Sequence, residues 1–300
     1  MQKEFDQISM KKSSCQIVSS FMLLITVLLL CTACSGEKNL TAKQWYKKGH
    51  DHLVHKKNYD NAIFAYNKAI ELDGKLTIAY AERGCAYQLK GQYDVAIADY
   101  NKVIELDPKY QDAYLGRGDT YSDKGQYDVA ISDYNKAIEL DPKDENAYCG
   151  RGKAYSAKGQ YDIAIIDYNK AIELDPKYEN AYLGRGKAYS AQSQYDIAIT
   201  DYNKAIELDP KYQDAYFNRA MAYKEIGQYD MAIADYNKAN ELFLEDPGVY
   251  YNKAIIYEET GRKSDAIKEY TLFIHYASAG SDSYRIETAK KQIIKLGGTI

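Results

Sequence analysis

Tyrosine returns every 34 residues along this chain, at 66, 100, 134, 168, 202, 236 and 270, and alanine keeps the same step at 62, 96, 130, 164, 198, 232 and 266. A fixed period in this range decides the architecture before any local pattern does. Each repeat is one supersecondary piece, too small to bury its own apolar face. Seven units follow from the step: 45–78, 79–112, 113–146, 147–180, 181–214, 215–248 and 249–282. An enzyme needs a few unlike groups brought together once. Saying one sentence seven times serves a surface better than a catalytic site.

Within a unit the pattern is two helices. In the second half of the third unit Ala130, Ile131, Tyr134, Ala137, Ile138 and Leu140 form one apolar helical stripe. Asp141-Pro142 stops that helix, because proline brings no N–H and disfavours helix in the residue before it. The first half carries Ala113, Tyr114, Gly118 and Tyr121 on one side, and Gly125 sits between the halves, where a left-handed residue is wanted. No period-2 run is long enough for a strand. The expectation is an all-α chain of stacked helical hairpins.

These units resemble tetratricopeptide repeats. Tyr148, Gly152, Tyr155, Ala164, Tyr168, Ala171 and Pro176 fill the aromatic, small and proline places that family favours, over about four-fifths of the chain. The resemblance implies a right-handed superhelical solenoid of seven helix–turn–helix repeats. Departures fall mostly at the ends, as capping repeats require. The first unit has Gly49 one place early, Leu53 for a tyrosine and Gly74 for proline; the sixth moves its proline to Pro247; the seventh has Phe273 and Ser278. Ile286, Ala289, Ile293 and Leu296 then put an apolar stripe on a closing helix that ends near Gly297, in a capping segment 283–300.

One pair of positions changes together. Arg83, Arg117, Arg151, Arg185 and Arg219 are followed sixteen residues later by Asp99, Asp133, Asp167, Asp201 and Asp235. The seventh unit has Lys253 and Glu269, and the first has uncharged Gly49 and Ala65. An Arg–Asp bridge inside each hairpin explains the joint change, whereas a solvated surface pair would be worth little.

The first 33 residues read as a separate element. IVSSFMLLITVLLLCTAC (17–34) follows Lys11 and Lys12 and ends in small residues, as a secretory signal does. With Thr32-Ala33 before Cys34 it resembles a bacterial lipoprotein signal, which implies that Cys34 becomes the lipidated first residue of the mature protein. Met10-Lys11-Lys12 is the more natural start than Met1. The alternative is an uncleaved anchor, since the 17 residues from Ile17 to Ala33 lie at the lower limit for crossing a bilayer. Residues 34–44 are expected to be a short polar linker, which places the protein at the cell envelope, on the extracytoplasmic side of a membrane.

Removing residues 1–33 leaves 36 basic against 41 acidic groups, which is no nucleic-acid footprint. Cys85 and Cys149 lie two repeats apart, too far for a disulfide. His50, His52 and His55 form the one cluster that could hold a metal. On a helix His50 and His52 point to opposite sides, so a solvated face is the expectation, with no metal site. No nucleophile elbow, phosphate loop or Cys/His catalytic set is present, and no cofactor, small-molecule substrate or enzyme activity is expected.

A binding surface remains. The resemblance implies that the first helix of each unit lines a concave groove, here through Leu115, Gly116, Asp119, Cys149, Lys153, Leu183, Lys187, Phe217, Asn218, Met221, Tyr251, Asn252 and Ile255. These positions vary between units while the second helices hardly do. Phe217, Met221, Tyr251 and Ile255, with Asn218 and Asn252, are the expected anchor patch. Some cytosolic members of that family clamp a carboxylate with lysine and asparagine. Lys47 matches the first place, but Asp51 and Glu82 replace asparagines and Asp112 and Gly116 replace cations, so that clamp is absent. The reading is a lipid-anchored scaffold for a protein or peptide partner. A cytosol-facing anchored receptor stands second, and an envelope enzyme or metal-binding protein a distant third.

The signal makes a first prediction. Cys34→Ser should block processing and leave a heavier precursor in the intact-mass spectrum of membrane extracts. Wild-type protein that retains residues 10–33 would instead establish the uncleaved anchor.

Overall fold

The computed structural model describes residues 40–299 apart from 244, 279 and 281. The signal segment 1–33, Cys34 and residues 35–39 lie outside the described residues. Among those described there are helices and no strand. The chain divides into two compact bodies, 1–108 and 109–300. The amino-terminal body holds α1 (Ala42–Val54), α2 (Tyr59–Leu72), α3 (Thr77–Leu89) and α4 (Tyr93–Leu106). The carboxy-terminal body holds five further pairs and a last helix. The pairs are α5 (Gln111–Asp123) with α6 (Tyr127–Leu140), α7 (Glu145–Ala157) with α8 (Tyr161–Leu174), α9 (Glu179–Ala191) with α10 (Tyr195–Leu208), α11 (Gln213–Glu225) with α12 (Tyr229–Leu242), and α13 (Pro247–Glu259) with α14 (Lys263–Tyr276). The last helix is α15 (Ser283–Lys295).

Local chemistry sets the helix ends. The linker expected to run to residue 44 stops sooner, because Thr41 caps α1: its Oγ1 accepts from the Gln44 N–H (3.3 Å) and the Gln44 side chain accepts from the Thr41 N–H (2.8 Å). That reciprocal box satisfies two donors the helix start would otherwise leave bare. At the far ends of α4, α6, α8 and α10, proline forces its predecessor out of helix; Asp141 before Pro142 is extended (φ −133°, ψ 97°). Between the two helices of a pair, Gly125, Gly159 and Gly227 take φ of +74°, +73° and +75°. Ser193 occupies the same place in the fifth repeat at φ +60°, where a side chain is strained.

Three adjacent residues on each of α6, α8 and α10 hold neighbouring hairpins in register. Asp133, Tyr134 and Asn135 leave α6 about 100° apart, so they address different neighbours. Asp133 receives a fork from Arg117 of its own hairpin, Nε to Oδ2 at 2.8 Å and Nη2 to Oδ1 at 2.7 Å. Asn135 accepts from Arg151 Nη1 of the following hairpin at 2.6 Å. Tyr134, buried, lies against glycines of both. A methyl added to Gly118 would come within 3.0 Å of its ring, and one added to Gly150 within 2.6 Å.

The same clasp recurs. Arg83, Arg151, Arg185 and Arg219 each fork onto Asp99, Asp167, Asp201 and Asp235 at 2.6–2.9 Å. Arg83, Arg185 and Arg219 also reach back to Asn67, Asn169 and Asn203. Each arginine further lies over a tyrosine one turn earlier, Arg151 over Tyr148 at 5.5 Å. In the seventh repeat Lys253 keeps the pair with Glu269 at 2.9 Å, as a point charge without a fork.

In the carboxy-terminal body the first helices of successive pairs, α5, α7, α9, α11 and α13, touch one another, whereas no comparable contact joins the second helices among the described residues. One face of this body is therefore built from first helices alone. At its end α15 turns Ala289 and Ile293 onto the last hairpin, where they pack with Tyr250, Ala254 and Phe273.

The clasp predicts coupling. Asp167 is 4 % exposed at its side chain and Arg151 21 %. The cycle Arg151→Ala, Asp167→Ala and both, measured by urea unfolding, should give an interaction energy of roughly 0.5–3 kcal/mol. Additive losses would mean that the two charges merely share a surface.

Candidate binding groove

The first-helix face of the carboxy-terminal body carries the variable side chains. A cavity of about 560 Å³ opens on it, across α7, α9 and α11. Leu183, Gly184, Ala188 and the Tyr168 ring line it with apolar surface, while Lys153, Lys187, Asn180, Ser156, Tyr212 and Asp214 supply polar groups. A second cavity of about 320 Å³ continues from it, shares Ala191, and takes in Asn218, Met221, Tyr202 and Glu225. The first cavity exists because its neighbours are small: glycines and alanines that admit the buried tyrosine rings leave nothing above them.

The tyrosine hydroxyls point to this side. Tyr134 donates to Asp119 at 2.6 Å, and Tyr168 and Tyr202 lie 3.4 and 3.0 Å from Ser156 and Ser190. Burial pushes the Tyr202 hydroxyl up to about 12. Burial also raises the Asp119 carboxyl above the usual range, against the Tyr134 hydrogen bond that lowers it. The Tyr236 hydroxyl is buried without a partner among the described residues. Of the two cavity lysines, Lys187 lies 3.7 Å from Asp214, and Lys153 has no hydrogen bond or ion pair among the described residues.

The expected groove residues divide. Leu115, Asp119, Lys153, Lys187, Asn218 and Met221 present surface on this face, Met221 at 43 % exposure. Cys149 does not: it is 1 % exposed, in a core cluster with Tyr168 and Ala181, and burial raises its thiol, so its place among groove residues is corrected to packing. Leu183 is nearly as buried and reaches the cavity only as its floor.

The expected anchor patch of the last two repeats is also redirected. Phe217 turns its ring edge-on to Tyr236 (5.5 Å), and Tyr251 packs against Tyr270 (5.9 Å) and Phe273 (4.9 Å), so both rings face inward. Asn218 and Asn252 bond back to carbonyls of their own helices, on Asp214 (2.7 Å) and Gly248 (2.9 Å). Ile255 is half-buried. Bulky side chains fill this end, and the room lies over the smaller residues of the middle repeats.

Reading the sequence missed Asn180 and Tyr212. Tyr212 donates to Asn180 at 2.6 Å across successive repeats, as Tyr178 does to Asn146 at 2.9 Å. The signal was present in Pro176-Lys177-Tyr178 and Pro210-Lys211-Tyr212, which place a tyrosine just before each first helix.

Of the histidines in the amino-terminal body, His55 is exposed as expected and His50 is about half exposed. His50 Nδ1 lies 3.0 Å from both oxygens of Glu82, which also accepts from Tyr46 (2.8 Å) and Tyr66 (2.5 Å). His52 Nδ1 is buried without a hydrogen-bond partner among the described residues. Among the described residues no three metal-ligating side chains converge, and no helix is long and apolar enough to cross a membrane. Neither Cys85 nor Cys149 is in a disulfide among the described residues.

Comparison with known proteins places this geometry. A family model described as TPR repeat matches residues 86–125, 118–159, 152–193 and 186–227, and models described as Tetratricopeptide repeat match 42–76, 214–242 and 247–276. No curated protein matches the chain. Among solved structures, a tetratricopeptide repeat protein from Parabacteroides merdae is 20 % identical with a TM-score of 0.64, covering 84 % of this chain and 98 % of its own. PilW, a type IV pilus biogenesis factor, is 18 % identical with a TM-score of 0.64, covering 71 % and 97 %. Cut9-Hcn1 of the APC/C is 19 % identical with a TM-score of 0.69 over 79 % of this chain, which spans 46 % of the length of that one. At these identities the likeness is one of fold.

Proposed function

This chain belongs to the tetratricopeptide repeat family, and from that premise we propose that it is a non-enzymatic scaffold that holds a partner protein or peptide against the first-helix face of its carboxy-terminal body. The observation that carries this reading is the cavity across α7, α9 and α11, which opens where the repeats differ from one another. The second helices, whose outward residues repeat, have no such variation to offer a partner. Stacked hairpins present extended binding surfaces of this kind.

We further propose that Cys34 carries a lipid after removal of residues 1–33, and that the scaffold works at a bacterial cell envelope. Support comes from the basic start, the apolar run and the small residues before Cys34. With α1 starting at Ala42, a linker of only a few residues would keep the repeats close to the membrane.

Crosslinking in intact membranes tests the groove. Ala191 is exposed and borders both cavities, so Ala191→Trp should fill them without disturbing the core. The expected result is loss of the partner crosslinked by wild type, with a circular dichroism melt near wild type. Lys136→Ala with Lys170→Ala, on the second helices, should leave the crosslink intact. A partner that survives Ala191→Trp and is lost with the lysine pair would put binding on the opposite face.

A further inference from the structure

Building on the groove reading above, we propose that the larger cavity takes an internal acidic segment of the partner: an apolar side chain on the floor, flanked by carboxylates that meet Lys153 and Lys187 at the rim.

Three features carry this. The floor is apolar, made by Leu183, Ala188 and the Tyr168 ring, and about 560 Å³ accommodates one sizeable side chain with its backbone. The walls are cationic. Lys153 and Lys187 occupy the same place on neighbouring first helices, both exposed, and the only acid among the lining residues is Asp214. Asp214 faces Lys187 at 3.7 Å with both side chains about half exposed, a pair that costs little to exchange. Among the described residues Lys153 has no hydrogen bond or ion pair. Asp119 on α5 feels the Lys153 charge but makes no ion pair with it, and its carboxylate accepts from Tyr134 instead. In a chain whose formal net charge is −4, two under-neutralised ammonium groups over an apolar floor select an anion.

The occupant is a through-running segment, not a chain end. The two cavities share Ala191 at their border, and the second offers apolar surface at Met221 while Glu225 disfavours a further acid there. Spacing fits as well. Neighbouring helices pack about 8–10 Å apart. An extended segment advances about 3.3 Å per residue, so carboxylates two residues apart span about 7 Å. The flexible lysine stems cover the difference.

The test uses fluorescein-labelled peptides of about ten residues, capped at both ends so that no terminal carboxylate is present, with Gly/Ser flanks around Glu-Leu-Glu, Gln-Leu-Gln or Lys-Leu-Lys. Fluorescence anisotropy with the full chain should give saturable binding of the Glu-Leu-Glu peptide, at least ~10-fold tighter than the Gln-Leu-Gln peptide and weakened by salt. The double variant Lys153→Glu with Lys187→Glu should reverse the preference toward Lys-Leu-Lys. Equal binding of the acidic and amide peptides overturns the proposal. So does an unreversed preference in the double variant, or no saturable binding of the acidic peptide up to about 1 mM. The membrane crosslink separates this failure from failure of the groove itself. A partner lost with Ala191→Trp but kept by the lysine reversal leaves the groove standing without the acidic segment; a partner kept by both removes the groove as well.

Discussion

Every hairpin in the middle of this chain is held through the same three residues, Asp-Tyr-Asn, on its second helix. Aspartate grips the arginine of its own hairpin, asparagine grips that of the next, and the tyrosine ring between them fits against glycines of both. One second helix thereby fixes two first helices at once. The arrangement tolerates little change. A partly buried arginine left without its carboxylate is costly, and a methyl on Gly150 or Gly184 would meet a ring at 2.6 or 2.5 Å. Because the second helix carries the frame, the outward positions of the first helix are left to vary.

The cavity is a by-product of that frame. Glycine and alanine at the inner positions of α7 and α9 admit the rings of Tyr168 and Tyr202 from one side and leave the other side open. Where the frame changes, the cavity ends. Ala220, Asn218 and Asn252 stand in the places of glycines in the sixth and seventh repeats, and Phe217 and Tyr251 fill the space with rings turned inward. The seventh repeat also trades the arginine fork for Lys253, and among the described residues the Tyr236 hydroxyl is left buried without a partner.

Much of this was legible in the sequence. A period of 34 residues, the Asp-Pro stops and the glycines between halves specify paired helices, and the joint change of Arg83 and Asp99 through Lys253 and Glu269 points to contact within a hairpin. The asparagine half of the clasp escaped notice, although Asn135 precedes Arg151 by the same sixteen residues that separate Arg151 from Asp167. Its bond crosses the boundary between repeats, and repeats read one at a time hide it. Variability marked Phe217 and Tyr251 as candidate contacts, but it cannot tell which way a ring turns. Packing against Tyr236 and Phe273 decides that, and the same holds for Cys149, drawn into the core by burial. The cavity over the middle repeats was hidden for a related reason: it is made of small residues, and missing volume leaves no motif.

The claim that the tyrosine–glycine fit sets the frame is tested most directly by Gly184→Ala, followed by urea unfolding alone and in a Tyr168→Leu background. Alanine favours a helix over glycine by about 1 kcal/mol, so helix preference alone predicts a more stable protein. The account predicts the opposite in the wild-type background, because the methyl would lie 2.5 Å from the Tyr168 ring and overpacking costs typically 1–3 kcal/mol. It also predicts that the penalty disappears once the ring is removed. A Gly184→Ala protein that is stabilised to the same extent in both backgrounds would contradict it.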